Sequence, residues 1–302
     1  MAADKFIFAA WAESAGGLKN ICNLAESIRT FGKSLSRVPI RAYISEKTGI
    51  ENSELSKHLE SLDVEIITVR TLKDAEWFYY AGKVYAAAEA EAAAEGKADL
   101  LVWLDNDTIF LTEPDDFNLP PGKSFAYCPV MHNRSGSLYD APPDSFWSRI
   151  YEKLSVDTER LFPMITPADN QKIRAYFHIG LLVVRPEKGI LRRLVKDFEI
   201  LYKDSVLAEM CREDAIKRVF LHQTALVGVI NLIEPEEMLE FSGRYNYPIF
   251  FEKRYGADKS YDSIEDIVTI RIVIAPEDVS PDWHRELSGP PDKIAWLKER
   301  LF

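Results

Sequence analysis

Two carboxylates two residues apart, Asp105 and Asp107, follow directly on the apolar run Leu100–Leu104. A buried strand that ends in carboxylates must provide them with a cation, hydrogen-bond donors or water, because unpaired charge is costly to desolvate. Ligand sites in open α/β sheets lie at the carboxyl ends of strands, which is where this pair falls. At this spacing two hard oxygen donors converge on one divalent ion if the backbone bends at Asn106. A polar turn at a strand end accounts for the same three residues. What favours a site is the apolar strand before them.

Other residues invite chemistry on weaker grounds. In YFHIGLLVV, Tyr176–Val184, His178 and Gly180 interrupt an apolar strand. A glycine there suggests close approach of a ligand or of other backbone, and a histidine facing a pocket can donate to a hydroxyl. A satisfied core histidine is the plainer account. Gln223 lies in the middle of an apolar helical face formed by Ile216, Val219, Phe220, Leu226, Val227 and Ile230, so its amide needs buried partners. His222 lies on the flank of that face, where solvent is the default. Lys83, near the start of an Ala-rich helix, can reach a phosphate, although a solvated lysine is commoner.

These residues need elements to hold them. Phe6–Ala10, Ile40–Ile44, Val64–Val69 and Leu100–Leu104 read as strands. Helical patterns at Leu18–Phe31, Ser53–Leu62 and Trp77–Glu95 separate them, with Trp11–Gly17 as a flexible loop after the first strand. Strict alternation implies parallel pairing with right-handed crossovers, hence a layered α/β sheet. Further along, Ser124–Pro129 and Tyr176–Val184 read as strands, Asp144–Leu161 holds a helix, and 132–144 reads as a surface loop or lid. The stripe from Ile190 to Leu201 and the segment Asp214–Leu232 read as helices, and Val268–Ala275 as a last strand. No repeat or linker divides the 302 residues, which read as one domain with a C-terminal extension.

The net charge of −11 argues against nucleic acid or an anionic membrane as the main partner. Three scattered cysteines show neither metal spacing nor a disulfide framework. The start, MAADKFIFAAWAES, has too short an apolar run for a signal peptide, and no run reaches membrane-spanning length, so the expectation is cytoplasmic. P-loop, GxGxxG and GxSxG signatures are absent.

Four motifs in order resemble the nucleotide-sugar glycosyltransferases of the GT-A fold. They are most similar to the retaining family that includes glycogenin and the lipopolysaccharide galactosyltransferases. WLDND (Trp103–Asp107) resembles the family's metal-binding DxD, and FHIGLLVVRP (Phe177–Pro186) its FNxGxxxxxP strand. HQTAL (His222–Leu226) resembles its DQxxL helix, and RYNYP (Arg244–Pro248) its short YN segment. The resemblance implies a mostly parallel, Rossmann-like central sheet with helices on both faces. It assigns residues 1–248 to the transferase-like domain and 249–302 to an extension packed on it.

By the same resemblance, Asp105 and Asp107 hold Mn2+ or Mg2+ on the diphosphate of a sugar donor, most readily a UDP-sugar. Ala9, Ala10 and Trp11 contact the nucleobase, Lys83 faces the diphosphate or sugar, Asn106 and Gly180 flank the donor, and Gln223 and His178 stand by the reacting carbon. The family's third metal ligand is a histidine on a C-terminal strand. Here that strand reads IRIVIAPEDVSPDW, so the metal site has only two protein ligands, takes His284, the first histidine after the strand, as its third, or is weakened. The family's asparagine and aspartate are replaced by His178 and His222. The departures leave three expectations. They are a metal-dependent transferase acting on an unspecified glycan, lipid or protein acceptor, a non-catalytic descendant that binds a glycan or protein, and, last, a sugar-phosphate nucleotidyltransferase. The last lacks its Gly-rich N-terminal loop.

Overall fold

The computed structural model describes residues 4–49, 53–249, 261–272 and 282–301. Its strands are β1 (Asp4–Ala12), β2 (Ile40–Ser45), β3 (Val64–Val69), β4 (Ala98–Leu104), β5 (Thr108–Phe110) and β6 (Phe125–Pro129). They continue as β7 (Pro163–Ile165), β8 (Lys172–Arg174), β9 (Phe177–Val184), β10 (Met238–Glu240), β11 (Tyr247–Pro248) and β12 (Thr269–Arg271). The helices are α1 (Ala15–Phe31), α2 (Glu54–Ser61), α3 (Ala81–Ala94), α4 (Ser145–Leu154), α5 (Ile190–Tyr202), α6 (Ser205–Glu213), α7 (Ala215–Thr224), α8 (Leu226–Ile230) and α9 (Pro291–Arg300).

Seven strands form the central sheet in the order β10-β6-β9-β4-β1-β2-β3. The first four strands of the chain pair in parallel, as the alternation implies. β9 runs antiparallel to both β4 and β6, a reversal that alternation cannot show. Because the chain goes from β1 outward to β2 and β3 and then returns to β4, the β1/β4 boundary is the switch point, where a crevice opens at the carboxyl ends of the strands. The register pairs Ala10 with Leu104, which brings Trp11 beside Asp105.

Two apolar layers cover the sheet. On one face, the helical stripe Leu18, Ile21, Ala25 and Ile28 of α1 packs on Phe8, Val102 and Leu104. On the other face, α3 presents Ala86, Ala87, Ala90 and Ala94, whose small side chains let α3 and α5 close on Leu101 and Trp103. Glu91, fully buried, accepts the backbone N–H groups of Leu191 (3.1 Å) and Arg192 (2.8 Å) and so caps α5, which starts after Gly189 without a side-chain cap of its own.

The second sheet runs β11-β12-β5. It packs Ile109 and Leu111 with Tyr247, Ile264, Ile270 and Trp283. Residues on both sides of position 248 thus share one small core, and antiparallel pairing sets Arg271 opposite Thr108.

Several element boundaries depart from the sequence pattern. Trp11 and Ala12 extend β1 and α1 begins at Ala15, so the expected loop shrinks to Glu13-Ser14, with Ser14 capping the helix. α3 begins at Ala81 because Tyr80 takes a left-handed backbone (φ 61°) that no helix continues. The helix expected over Asp214–Leu232 breaks after Thr224 into α7 and α8. Of the strand expected at Val268–Ala275, Thr269–Arg271 pairs, while residues 273–275 lie outside the described residues. Among the described residues no helix is long and apolar enough to cross a membrane.

Candidate active site

A cavity of about 610 Å³ opens at the carboxyl ends of β1 and β4. It is within the size range of small-molecule sites. Asp105, Asn106 and Asp107 form its floor, in the turn that links β4 to β5. That turn is held from three sides. The Asp105 N–H donates to Gly180 O (2.6 Å), the Asn106 side chain donates to Trp11 O (2.7 Å), and Ile272 N–H donates to Asp107 O (3.2 Å).

The carboxylates meet cations. Lys83, almost wholly buried, donates to Asp105 Oδ1. The Arg271 guanidinium, carried by β12, lies 3.6 Å from Asp105 Oδ2 and 3.6 Å from Asp107 Oδ2. His178 Nε2 is 3.9 Å from Asp105 Oδ2 and touches Arg271. Burial alone would raise the pKa of Asp105, but Lys83 and Arg271 override it and hold the carboxyl well below the usual range. Asp107 goes the other way, raised by burial and by the Asp105 charge against the opposing pull of Arg271. Burial, then Arg271, pushes His178 far below the ordinary histidine value, so its imidazole is neutral at physiological pH.

The upper wall comes from α7. Gln223 is buried at the cavity, which Tyr176 also lines, and the Tyr176 hydroxyl pairs with Ser135 at 3.1 Å. His222 is buried too, which corrects the expectation of a solvated flank. Its Nδ1 contacts Val219 O at 2.8 Å, and its ring lies 5.0 Å from that of Tyr80. The half-buried Val219 and Phe220 line the cavity, so part of the apolar face of α7 looks onto the site and not into the core.

Gly180 has a specific steric role. A Cβ there would sit 1.9 Å from Asp105 Oδ2 and 2.3 Å from His178 Cε1. The close approach anticipated in this strand is that of the Asp105 carboxylate itself.

The structure therefore brings Trp11, Lys83, Asp105, Asn106, Asp107, His178 and Gln223 to one cavity, with Gly180 beneath them. It does not bring Ala9, Ala10 or His284. Ala9 and Ala10 lie inside β1, packed into opposite core layers, because the strand continues to Ala12. His284 stands in a short 3-10 turn (Trp283–Arg285) next to the small core and is not among the residues lining the cavity. Arg271 was missed. Its signal was a basic residue within the last expected strand, legible only once that strand is paired with β5. Arg134, exposed on the loop over the cavity, was missed as well.

The residues at the aspartate pair do not fit a divalent ion. Among the described residues, no three His, Cys, Asp or Glu side chains group to hold a metal. Asp105 Oδ1, Asp105 Oδ2 and Asp107 Oδ2 face the cations Lys83 and Arg271. Asp107 Oδ1, buried without a hydrogen-bond partner among the described residues, is the one oxygen of the pair left over. Mg2+ asks for near-octahedral oxygen coordination, and a single oxygen is a poor start toward it.

Solved structures with the same architecture exist. Galactosyltransferase LgtC, in complex with donor and acceptor sugar analogs, aligns with a TM-score of 0.57 at 10% identity, covering 98% of this chain and 100% of that one. An active-site glutamine-to-glutamate mutant of LgtC aligns at 0.55 and 11% identity, covering 97% and 95%. At these identities the likeness establishes the fold, which is GT-A. No curated protein matches the chain. The family model described as the Rhodobacterales glycosyltransferase domain matches residues 18–233. That match spans most of the chain, from α1 to just beyond α8, and takes in the aspartate pair, Lys83, His178 and Gln223, so the protein belongs to this glycosyltransferase family.

Proposed function

We propose that the protein transfers a sugar from a nucleoside-diphosphate donor, most readily a UDP-sugar, to an acceptor hydroxyl, and that the β1/β4 cavity is where it does so. The observation that carries this is the convergence of Asp105, Asp107, Lys83, His178 and Gln223, from four separate stretches of chain, on one cavity at the switch point of the sheet. Residues 1–248 would carry most of the donor site, and the extension 249–302 would add Arg271.

In the transfer, the bond from the sugar's anomeric carbon to the β-phosphate oxygen breaks, and its electron pair leaves with the phosphate. The acceptor oxygen forms the new bond, and the departing phosphate takes the acceptor's proton. Charge accumulates on the diphosphate, so fixed cations are the main asset a site can offer. Lys83, held in place by Asp105, supplies one. Neutral His178, with Nδ1 accepting the Gly180 N–H (3.0 Å) and Nε2 against Arg271, is suited to position the guanidinium and unsuited to donate a proton. LgtC has a glutamine in its active site by the name of its mutant, and Gln223, which lines the cavity here, would orient the sugar for transfer. The Mn2+ or Mg2+ that the family resemblance implies forms no part of this chemistry, because the aspartates already hold cations.

Calorimetric titration with UDP, GDP, ADP, CDP and dTDP, with and without Mn2+, tests the donor assignment. Binding of at least one, weakened by Lys83→Met, is expected. If none binds, the proposal fails. Binding without donor hydrolysis or transfer would instead favour a descendant that keeps the fold as a binding module.

A further inference from the structure

We infer that Arg271, together with Lys83, takes the place of the metal ion, so that the donor diphosphate is bound and its departure stabilised by side-chain cations alone. The inference rests on the donor chemistry proposed above and deepens it.

Charge and position both support it. A divalent ion between two aspartates contributes two positive charges and leaves the group neutral. Lys83 and Arg271 contribute the same two charges to the same two carboxylates. The guanidinium lies equally close to both, at 3.6 Å from Asp105 Oδ2 and from Asp107 Oδ2, which is where an ion bridging the pair would be. An ion entering there would have to displace it.

The placement of Arg271 is built in. β12 pairs antiparallel with β5, and the register Arg271↔Thr108 puts the arginine directly across from the residue after Asp107. The backbone bond Ile272 N–H to Asp107 O fixes that register, and Ile249 N–H to Arg271 O ties the other side of β12 to the segment after β11. The side chain lines the cavity. A separation of 3.6 Å from each carboxylate is that of an ion pair and longer than a hydrogen bond. The fork of N–H donors on a guanidinium matches phosphate oxygens in bidentate geometry. On this account the aspartates orient the two cations and are not metal ligands.

The decisive measurement is calorimetry of the full-length chain with UDP, run in EDTA and in Mn2+, with the other nucleoside diphosphates in parallel. Expected in EDTA is an affinity within about 3-fold of that in Mn2+, falling on the order of 10- to 100-fold in Arg271→Gln. Arg271→His removes the guanidinium and offers an imidazole to the aspartate pair, so its UDP binding should become dependent on Mn2+. Circular dichroism confirms that the variants fold. If Arg271→Gln does not, Arg271→Lys, which keeps the charge and loses the fork, and the wild-type comparison in EDTA decide the matter. Nucleotide binding that needs Mn2+ or Mg2+ in the wild type overturns the inference and leaves the donor assignment standing. Absence of binding under both conditions removes both.

Discussion

Gly180→Ala is the sharpest probe of how the site is built. The new Cβ would lie 1.9 Å from Asp105 Oδ2, 2.6 Å from Asp105 Cγ and 2.3 Å from His178 Cε1, far inside any van der Waals contact. The backbone cannot yield, because Gly180 O accepts the Asp105 N–H at 2.6 Å and the following residues are laddered to β4. The carboxylate and the imidazole must therefore swing away, and Asp105 loses its alignment with Lys83 and Arg271. Overpacking of this kind costs about 1–3 kcal/mol. With the unfolding entropy expected for a chain of this length, that corresponds to a melting point lower by about 2–5 °C. Loss of the oriented cations should weaken nucleoside-diphosphate binding by about 10-fold or more. Calorimetric melting and UDP titration read the two effects on the same sample. Gly16→Ala is the control, since a Cβ there meets only Ser14 Oγ, at 3.8 Å; it should leave nucleotide binding unchanged and should not lower the melting point. A Gly180→Ala variant that melts within about 1 °C of wild type and binds nucleotide equally well would refute the steric account of the site.

Two further outcomes are expected. Glu91→Gln should cost roughly 2 kcal/mol, because the amide puts an NH2 donor where one carboxylate oxygen accepts and so leaves an N–H at the start of α5 unpaired, while nucleotide affinity stays unchanged; a melting curve superimposable on wild type would remove Glu91 as the cap. The pH dependence of stability tests His222, whose pKa is lowered to about 3 by burial and by the Lys83 charge. The unfolded chain takes up its proton first, near the ordinary value of about 6.5, so this contribution is complete above that pH and declines as pH falls toward 3. Between pH 7 and pH 5 the loss amounts to about 2 kcal/mol, with His178 adding to it in the same direction. Urea denaturation at the two pH values should show that loss in wild type and a smaller one in His222→Gln; equal losses would mean that His222 is not held neutral in the folded state.

Periodicity located most of the framework. The strands around Phe8, Ala42, Ile66 and Val102 are where apolar runs put them, because core layers cover both faces of the sheet, and the stripes of α1 and α5 are where helical spacing puts them, because each helix buries one face in such a layer. The failures have local causes. Tyr80 shortens the Ala-rich helix at its start through a left-handed backbone that propensity does not register, and β9 reverses direction although its composition is that of any buried strand. Ala9 and Ala10 stop short of the cavity, since nothing in Phe6–Ala10 shows that the strand continues to Ala12.

The site divides along the same line. Asp105, Asp107 and Gln223 were legible because each breaks its own local pattern, as a charge after an apolar strand or an amide on an apolar face, whereas Lys83 breaks none and was singled out by the family resemblance. Arg271 breaks none. An arginine alternating with apolar residues on a short strand is ordinary, and its meaning comes wholly from the β5/β12 register that sets it against Asp107. His284 was the opposite case, a residue of the right type near the right place in sequence whose turn carries it elsewhere. Ligand type can be read locally, but what a carboxylate pair holds depends on the one strand that closes over it, and here that strand brings a cation.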